Sequence, residues 1–203
     1  MSLDRIIIMA CGLPGSGKSE TTEWLAKQLE YTWCSQDKIR QEIKQTSYNQ
    51  KLNSKVRRIL NERITVSLDR NQSVVIDRGY GEKKSRDALY DKVAAYDPTI
   101  VLVEFYCTNA TAKARMIRRP PSSSIFSPSP DPLVYSQEIK LWQDPRKDLE
   151  THLDLSYLQY DTQHSQIKEI CVREKARPIV DILETKIRQY CKTQGYKPLS
   201  VSR

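Results

Sequence analysis

One short motif near the amino terminus constrains this 203-residue chain more than any other feature of its sequence. Gly12 is followed, after four variable residues, by Gly17, Lys18 and Ser19. The isoleucine-rich run 5–10 precedes the motif and is typical of a strand buried on both faces of a parallel sheet. A helical pattern follows the motif directly. A loop between a buried strand and a helix is the context that this motif requires, which argues against a chance match.

The motif predicts a loop that binds the phosphate groups of a nucleotide. Its glycines adopt backbone conformations with positive φ, which lets backbone N–H groups approach an anion closely. Those N–H groups and the dipole of the following helix attract negative charge. We expect Lys18 to reach the β- and γ-phosphates and the Ser19 hydroxyl to coordinate Mg²⁺. The expected phosphate cradle consists of Gly12, Leu13, Pro14, Gly15, Ser16 and Gly17.

An acidic residue, Asp77, ends the apolar run 74–76. An acid at the carboxyl end of a neighbouring strand can hold Mg²⁺ or its water shell. The alternative for Asp77 is a helix cap or a turn, both of which are common after a strand. Because the phosphate-binding motif is present in the same chain, we favour the metal role.

A second acid, Asp37, follows the short strand pattern 31–35 and stands three residues before Arg40. The carboxyl ends of strands border the ligand crevice of an open α/β sheet. Asp37 is therefore a candidate base for an attacking hydroxyl. Arg40, one helical turn further on, is a candidate clamp for an anionic substrate group. The alternative is a helix-capping aspartate and a surface arginine.

Three arginines, Arg115, Arg118 and Arg119, share one face of a predicted helix because they are spaced at i, i+3 and i+4. They precede the segment 120–132, in which five prolines and five serines exclude a regular element. Cations on a hinged segment can close over a polyphosphate as a lid. The alternative is that these arginines complement the dipole at the helix carboxyl end.

Strand patterns alternate with helical patterns along most of the chain. This alternation predicts a parallel sheet with helices on both of its faces. The predicted strands after the first are 31–35, 73–77, 100–107 and 155–160. The predicted helices after the motif are 18–30, 37–45, 49–71, 82–95 and 108–119, a partly helical stretch 133–151, and a helix from 167 to about 190 that is interrupted or restarted at Pro178.

The segments 12–19, 37–40, 74–77 and 115–119 together resemble the P-loop kinases grouped around polynucleotide 5′-hydroxyl kinase, with zeta toxins and chloramphenicol phosphotransferase as similar relatives. The resemblance covers about residues 5–120. It implies a three-layer α/β/α P-loop NTPase fold with a five-stranded parallel sheet in the order 2-3-1-4-5 and a helical lid.

The same resemblance implies roles for individual residues. ATP is the expected donor, Mg²⁺ the expected cofactor, and Asp37 the group that deprotonates a hydroxyl acceptor. Arg40 matches an arginine on the acceptor side, and Arg119 matches a lid arginine that contacts the donor phosphates.

Composition excludes several classes of protein. The longest apolar run, near 6–13, is far shorter than the roughly 18 residues of a membrane span. Five widely spaced cysteines without a CxxC pair, and only two histidines, do not form a zinc pattern. We therefore expect a cytoplasmic protein with reduced thiols. We expect a single domain over 1–203, with a lid and flexible loop at about 109–132.

The leading functional hypothesis is an ATP-dependent kinase that phosphorylates a hydroxyl of a small molecule or of a nucleic acid end. The formal net charge is +8, and residues 36–72 and 165–203 each carry nine Lys/Arg against four Asp/Glu. Basic segments of this kind attract the phosphate backbones of nucleic acids. The alternative is that the excess positive charge only keeps the protein in solution. Two alternatives stay open, namely an ATP-binding switch or regulatory module without phosphotransfer, and a nucleoside monophosphate kinase. The oligomeric state is not predicted.

Overall fold

The computed structural model describes residues 5–43, 50–118 and 132–193. The strands in these ranges are β1 (Ile6–Cys11), β2 (Thr32–Ser35), β3 (Val74–Asp77), β4 (Thr99–Tyr106), β5 (Ser156–Asp161) and β6 (Gln166–Cys171). The helices are α1 (Lys18–Leu29), α2 (Gln36–Glu42), α3 (Gln50–Asp69), α4 (Lys83–Val93), α5 (Asn109–Arg118), α6 (Pro132–Leu141) and α7 (Arg177–Thr193). Short 3₁₀ segments occupy Ala94–Tyr96, Pro145–Glu150 and Glu174–Ala176.

The strands form one sheet in the order β2-β3-β1-β4-β5-β6. The first five strands of this order are parallel, so the predicted parallel sheet and its strand order are confirmed. The predicted number of strands is wrong, because β6 adds an antiparallel sixth strand beside β5. The central strand β1 places the following loop at the carboxyl edge of the sheet, between β3 and β4.

The prediction of a helix from residue 167 is also wrong at its start. Ile167 and Ile170 are three residues apart, which imitates the spacing of a helical stripe. In a strand, residues three apart point to opposite faces. Ile167 packs against the core on one face of the sheet, and Ile170 packs against the core on the other. The helix begins only at Arg177, and Pro178 stands in its first turn, where a missing N–H is harmless.

Side chains of β1 alternate between two apolar cores, because successive residues of a strand point to opposite faces. Ile7 and Met9 belong to the core that α3 and α4 cover, whereas Ile8 and Ala10 belong to the core that α1 and α7 cover. The inner face of α3 is buried within the first of these cores, at Val56, Leu60 and Ile64. The result is the predicted three-layer α/β/α architecture. In the described parts of the chain, no helix has the length and apolar character that crossing a bilayer requires.

A buried ion pair fixes the loop between β3 and α4. Both Arg86 and Asp148 have side chains that are 0% exposed, and they form two hydrogen bonds of 2.6 and 3.0 Å. The Tyr90 hydroxyl donates a third bond to Asp148, over 3.0 Å. Arg86 also donates to the backbone oxygens of Tyr80 and Gly81, over 2.9 and 3.2 Å. The pair thereby joins the loop 78–82 to the 3₁₀ segment Pro145–Glu150.

We expect Asp148→Ala to destabilise the protein strongly, because it leaves the Arg86 charge buried without its partner. Breaking a buried pair in this way costs about 3–5 kcal/mol, which corresponds to a fall of roughly 10 °C in Tm for a chain of this size. Thermal unfolding measures the change. The control Arg188→Ala removes an exposed ion pair with Glu184, which water screens, and should leave Tm nearly unchanged. Equal Tm values for the two variants would contradict this account of the pair.

Candidate functional site

The loop between β1 and α1 lies in close contact with the elements behind it. Gly12 has φ 146°, and a Cβ atom there would lie 2.3 Å from the backbone oxygen of Phe105 in β4. Gly15 has φ 78°, and a Cβ atom there would lie 2.4 Å from the backbone oxygen of Ala112 in α5. Any other residue at either position would clash with backbone and would be strained. The glycines of the motif therefore allow the loop to pack directly against β4 and α5. They also leave its backbone N–H groups accessible to an anion.

The side chain of Lys18 is held over this same loop. Its Nζ atom donates to the backbone oxygens of Gly12 and Leu13, over 2.7 and 2.9 Å, and to the Ser16 hydroxyl, over 3.3 Å. Burial lowers the pKa of Lys18, and the negative charge of Asp77 opposes that shift. The motif thus carries its own cation beside the backbone N–H groups of the loop and the amino end of α1.

Three oxygen-bearing side chains meet at the carboxyl end of β3. Asp77 is 4% exposed and accepts a 3.1 Å hydrogen bond from the Ser35 hydroxyl, and the nearby Ser19 hydroxyl lowers its pKa. Burial raises the pKa of Asp77, Lys18 opposes this effect, and the charge of Asp37 adds to it. Hydroxyl and carboxylate oxygens are ligands that suit Mg²⁺. Sequence reasoning singled out Ser19 and Asp77 but missed Ser35, which pairs with Asp77 in the β2–β3 register.

The described residues contain no group of three or more His, Cys, Asp or Glu that is arranged to hold a metal ion. An ion at Ser19 and Asp77 would therefore need most of its ligands from phosphate oxygens and water, which is the usual situation for Mg²⁺.

Asp37 and Arg40 both lie on α2, which Ser35 caps through the backbone N–H of Lys38. Arg40 donates to Asp37 Oδ1 over 2.7 Å and to the amide oxygen of Asn53 over 3.4 Å. Sequence analysis treated the aspartate and the arginine as separate groups, whereas the structure brings them together as one ion pair. The charge of Asp37 raises the pKa values of both Lys18 and Asp77, so the pair lies within electrostatic reach of the phosphate loop.

Arg115 is bonded to the loop and to the turn between β5 and β6. It donates to the Thr162 hydroxyl over 2.7 Å, to the Thr162 backbone oxygen over 3.0 Å, and to the Gly15 backbone oxygen over 3.5 Å. The Thr162 hydroxyl in turn donates to the backbone oxygen of Ser16 over 2.8 Å. Arg115 therefore braces the loop from behind. Nothing in the sequence pattern had pointed to Thr162.

The rest of the predicted lid is only partly described. Arg118 is exposed at the end of α5. Arg119 and the proline- and serine-rich segment up to residue 131 lie outside the described residues. Thr108 caps α5, since its hydroxyl accepts a 3.3 Å bond from the backbone N–H of Thr111.

The helix α6 brings a further acid, Glu138, to the site. A Cβ atom on Gly81 would lie 3.9 Å from Glu138 Oε2 and 3.5 Å from the Trp142 ring. Burial raises the pKa of Glu138, the positive charges of Lys18 and Arg40 oppose this shift, and Glu82 adds to it. Sequence reasoning missed Glu138, because it lies in a region that was predicted only as partly helical and outside any motif.

Basic residues that the segment 36–72 contributes to α3 lie at the surface. Arg57 and Arg58, with Lys92 of α4, line a shallow open groove. Another basic residue of α3, Arg63, is paired with Glu42. No residue of the phosphate loop lines this groove.

Comparisons with known proteins agree with this geometry. A sequence model of a family described as an AAA domain matches residues 7–131, which is more than half of the chain. No curated protein matches the chain by sequence. The matched region includes the phosphate loop, Asp37, Arg40 and Asp77.

Several solved structures share the fold at low sequence identity. An unliganded sugar kinase from Janibacter sp. HTCC2649 has a TM-score of 0.56 and 15% identity, with 96% of each chain covered. Chaetomium thermophilum Kti12 in complex with ADP-AlF3 has a TM-score of 0.60 and 16% identity, covering 89% of this chain and 98% of its own. The Mycobacterium tuberculosis APS kinase CysC in complex with AMPPNP and APS has a TM-score of 0.54 and 17% identity, with the same coverage. These similarities confirm the P-loop kinase fold.

We expect Asp77→Asn to leave the protein at least as stable as the parent at neutral pH, because the raised pKa means that ionised Asp77 is disfavoured by folding. The penalty exists above the folded pKa and disappears as pH falls through it. The Tm difference between variant and parent should therefore shrink toward zero at acidic pH. Thermal unfolding from pH 4 to pH 8 measures it, and a variant that melts well below the parent at neutral pH would contradict the sign.

Proposed function

The chain belongs to the AAA domain family, and on that premise we propose that it is an ATP-dependent phosphotransferase that moves the γ-phosphoryl group to a hydroxyl. The observation that carries the proposal is the arrangement of Lys18, Asp77 and Asp37. Lys18 lies over the loop that follows β1, and the Ser35 hydroxyl that donates to Asp77 also caps the helix that carries Asp37. A phosphate-binding cation, a metal-binding acid and a candidate base thus share one crevice, which is the set that phosphoryl transfer requires.

On the donor side, the N–H groups of the loop and Lys18 bind the triphosphate of ATP. The ammonium group moves from the carbonyl oxygens of its own loop to the β- and γ-phosphate oxygens, which carry more negative charge. Support comes from the structures that share the fold, since the Kti12 structure contains ADP-AlF3 and the APS kinase structure contains AMPPNP.

Mg²⁺ fits the oxygen donors of this site, and we propose that Ser19 and Asp77 hold it directly or through water. When bound, the ion neutralises charge on the β- and γ-phosphates. The Ser35 hydroxyl orients the Asp77 carboxylate through its 3.1 Å bond.

On the acceptor side, Asp37 takes the proton of the attacking hydroxyl. The hydroxyl oxygen then forms a bond to the γ-phosphorus while the bond to the β–γ bridging oxygen breaks, and ADP leaves. Arg40 holds Oδ1 of Asp37 and thereby orients the carboxylate. The proposed donor-side cations Arg118 and Arg119 complete the charge stabilisation from the lid, and Arg115 positions the loop.

We expect Lys18→Ala to weaken MgATP binding and to reduce phosphotransfer by roughly a hundredfold or more, the order lost with one electrostatic contact to the transferring group. Isothermal titration with MgATP measures the binding. The control Lys27→Ala removes an exposed lysine in the last turn of the same helix and should bind MgATP as the parent does. If Lys18→Ala were to bind MgATP with the parent's affinity, the loop would not be the nucleotide site.

We expect Asp37→Asn to retain MgATP binding but to lose turnover by about 10²–10⁴-fold, the contribution of a general base. The amide keeps the shape of the side chain but cannot accept the proton. Turnover is measured by mass spectrometry of phosphorylated product after incubation of hydroxyl-bearing compounds with ATP. The control Asp91→Asn alters an exposed carboxylate on α4. Unchanged turnover in Asp37→Asn would remove the base assignment.

ATP-dependent capture of a protein partner without any phosphorylated product would favour a nucleotide switch instead.

A further inference from the structure

The buried face of α3 carries an amide where its pattern calls for an apolar side chain. Val56, Leu60 and Ile64 recur at i+3/i+4 spacing and are fully buried. Asn53 lies three residues before Val56, on the same face of the helix, and is only 8% exposed. Burying an amide costs free energy unless it is hydrogen-bonded. The partner of Asn53 therefore shows what the amide does there.

The partner of Asn53 is the arginine of the proposed acceptor side. The Asn53 amide oxygen accepts a 3.4 Å bond from Nη2 of Arg40, which lies on α2. The Arg40 side chain is 12% exposed, and its Nη1 atom donates to Asp37 Oδ1 over 2.7 Å. The Nε atom of Arg40 is buried and has no partner in the described part of the chain. The guanidinium is therefore held between two side-chain acceptors, one on α2 and one on α3.

The two carboxylate oxygens of Asp37 have different surroundings. Oδ1 accepts the bond from Arg40. Within residues 5–43, 50–118 and 132–193, the structure gives Oδ2 no hydrogen-bond donor. The Asp37 side chain is 34% exposed, so a substrate can approach it. Because each carboxylate oxygen is an acceptor, Oδ2 is available to take a proton while Oδ1 is held.

We propose that Asn53 is a positioning residue that holds the Arg40 guanidinium, so that Oδ2 of Asp37 faces the acceptor hydroxyl. This inference rests on the proposed function, because it concerns the same proton transfer. The proton moves from the acceptor hydroxyl to Oδ2 as the hydroxyl oxygen bonds to the γ-phosphorus. Asn53 touches none of the reacting atoms and acts through two direct contacts, Asn53 to Arg40 and Arg40 to Asp37.

Packing alone does not account for an amide at this position. Leucine has nearly the same shape as asparagine and would complete the apolar stripe of α3. It would, however, remove one of the two acceptors of the Arg40 guanidinium and leave a buried donor unpaired. A guanidinium bonded only to Asp37 is free to turn, and the carboxylate turns with it. A displacement of about 1 Å in a catalytic group can cost a hundredfold in rate.

The test is a double-mutant cycle on turnover with the variants Asn53→Leu, Arg40→Met and the two combined. Such a cycle shows whether one residue acts through the other. The acceptor probes are ribose, glycerol and an oligothymidylate with a free 5′-hydroxyl, together with ATP hydrolysis, in which water is the acceptor. Calorimetry with MgATP and thermal unfolding are measured for every variant.

The matched control is Asn61→Leu. It makes the same chemical change on the same helix, about 12 Å further along its axis. Asn61 lines the shallow groove at the surface, and the described residues give its side chain no bond to α2.

We expect Asn53→Leu to lower kcat at least tenfold, while KM for the acceptor and MgATP affinity stay within about twofold of the parent. In the Arg40→Met background the same substitution should change kcat less than twofold, because the guanidinium that it releases is absent. Asn61→Leu should leave kcat unchanged. A parental kcat in Asn53→Leu overturns the inference, and so does an equal fold loss in both backgrounds. Either result leaves the proposed function standing.

Two further variants separate positioning from a general loss of structure. Asn53→Asp keeps the shape and an acceptor oxygen, so it should recover most of the turnover that Asn53→Leu loses. A loss in Asn53→Asp as large as that in Asn53→Leu overturns the inference. If Asn53→Leu does not unfold cooperatively, Asn53→Ala removes the same oxygen without added bulk and replaces it in the cycle. No turnover of any probe by a parent protein that binds MgATP refutes the proposed function, and the inference with it.

Discussion

The whole site depends on direct packing of the glycine backbone of the phosphate loop against the backbone of β4 and α5. Gly12 and Gly15 lie against the carbonyl oxygens of Phe105 and Ala112, at distances that leave no room for a side chain. Because the loop cannot rise away from β4 and α5 without losing these contacts, its N–H groups are held in one arrangement before any ligand arrives. Such pre-organisation lowers the ordering cost of binding a highly charged group.

The unfavourable burial of charge in the site has the same origin. Packing that buries the loop also buries Lys18 and Asp77, and burial disfavours the charged form of each. The two opposite charges partly compensate each other, so neither is fully satisfied by the protein alone. A nucleotide with its metal ion brings the missing negative and positive charges together. Such a ligand therefore offsets the cost of burying these two charges, and shifted pKa values of this kind are common at functional sites.

A second layer of contacts positions the acceptor side. The buried Arg86–Asp148 pair holds the backbone of Tyr80 and Gly81, and the Gly81 oxygen also accepts a bond from the backbone N–H of Gln143, just after α6. The segment after α6 is thereby tied to the loop that follows β3. The Arg86–Asp148 bonds have no short-range signature, because they join residues 62 positions apart that share no pattern.

The sequence by itself determined the phosphate loop, the alternation of strands and helices, and the residue types at the carboxyl ends of β2 and β3. These features are local, since glycine conformation and hydrophobic periodicity act over a few residues. Only the tertiary structure decided that Ile167 and Ile170 belong to opposite faces of an antiparallel sixth strand, and that Arg86 and Asp148 form a buried ion pair. The reason is that both depend on long-range pairing, in which β5 selects the conformation of its neighbour and Arg86 meets an acid 62 residues further along the chain.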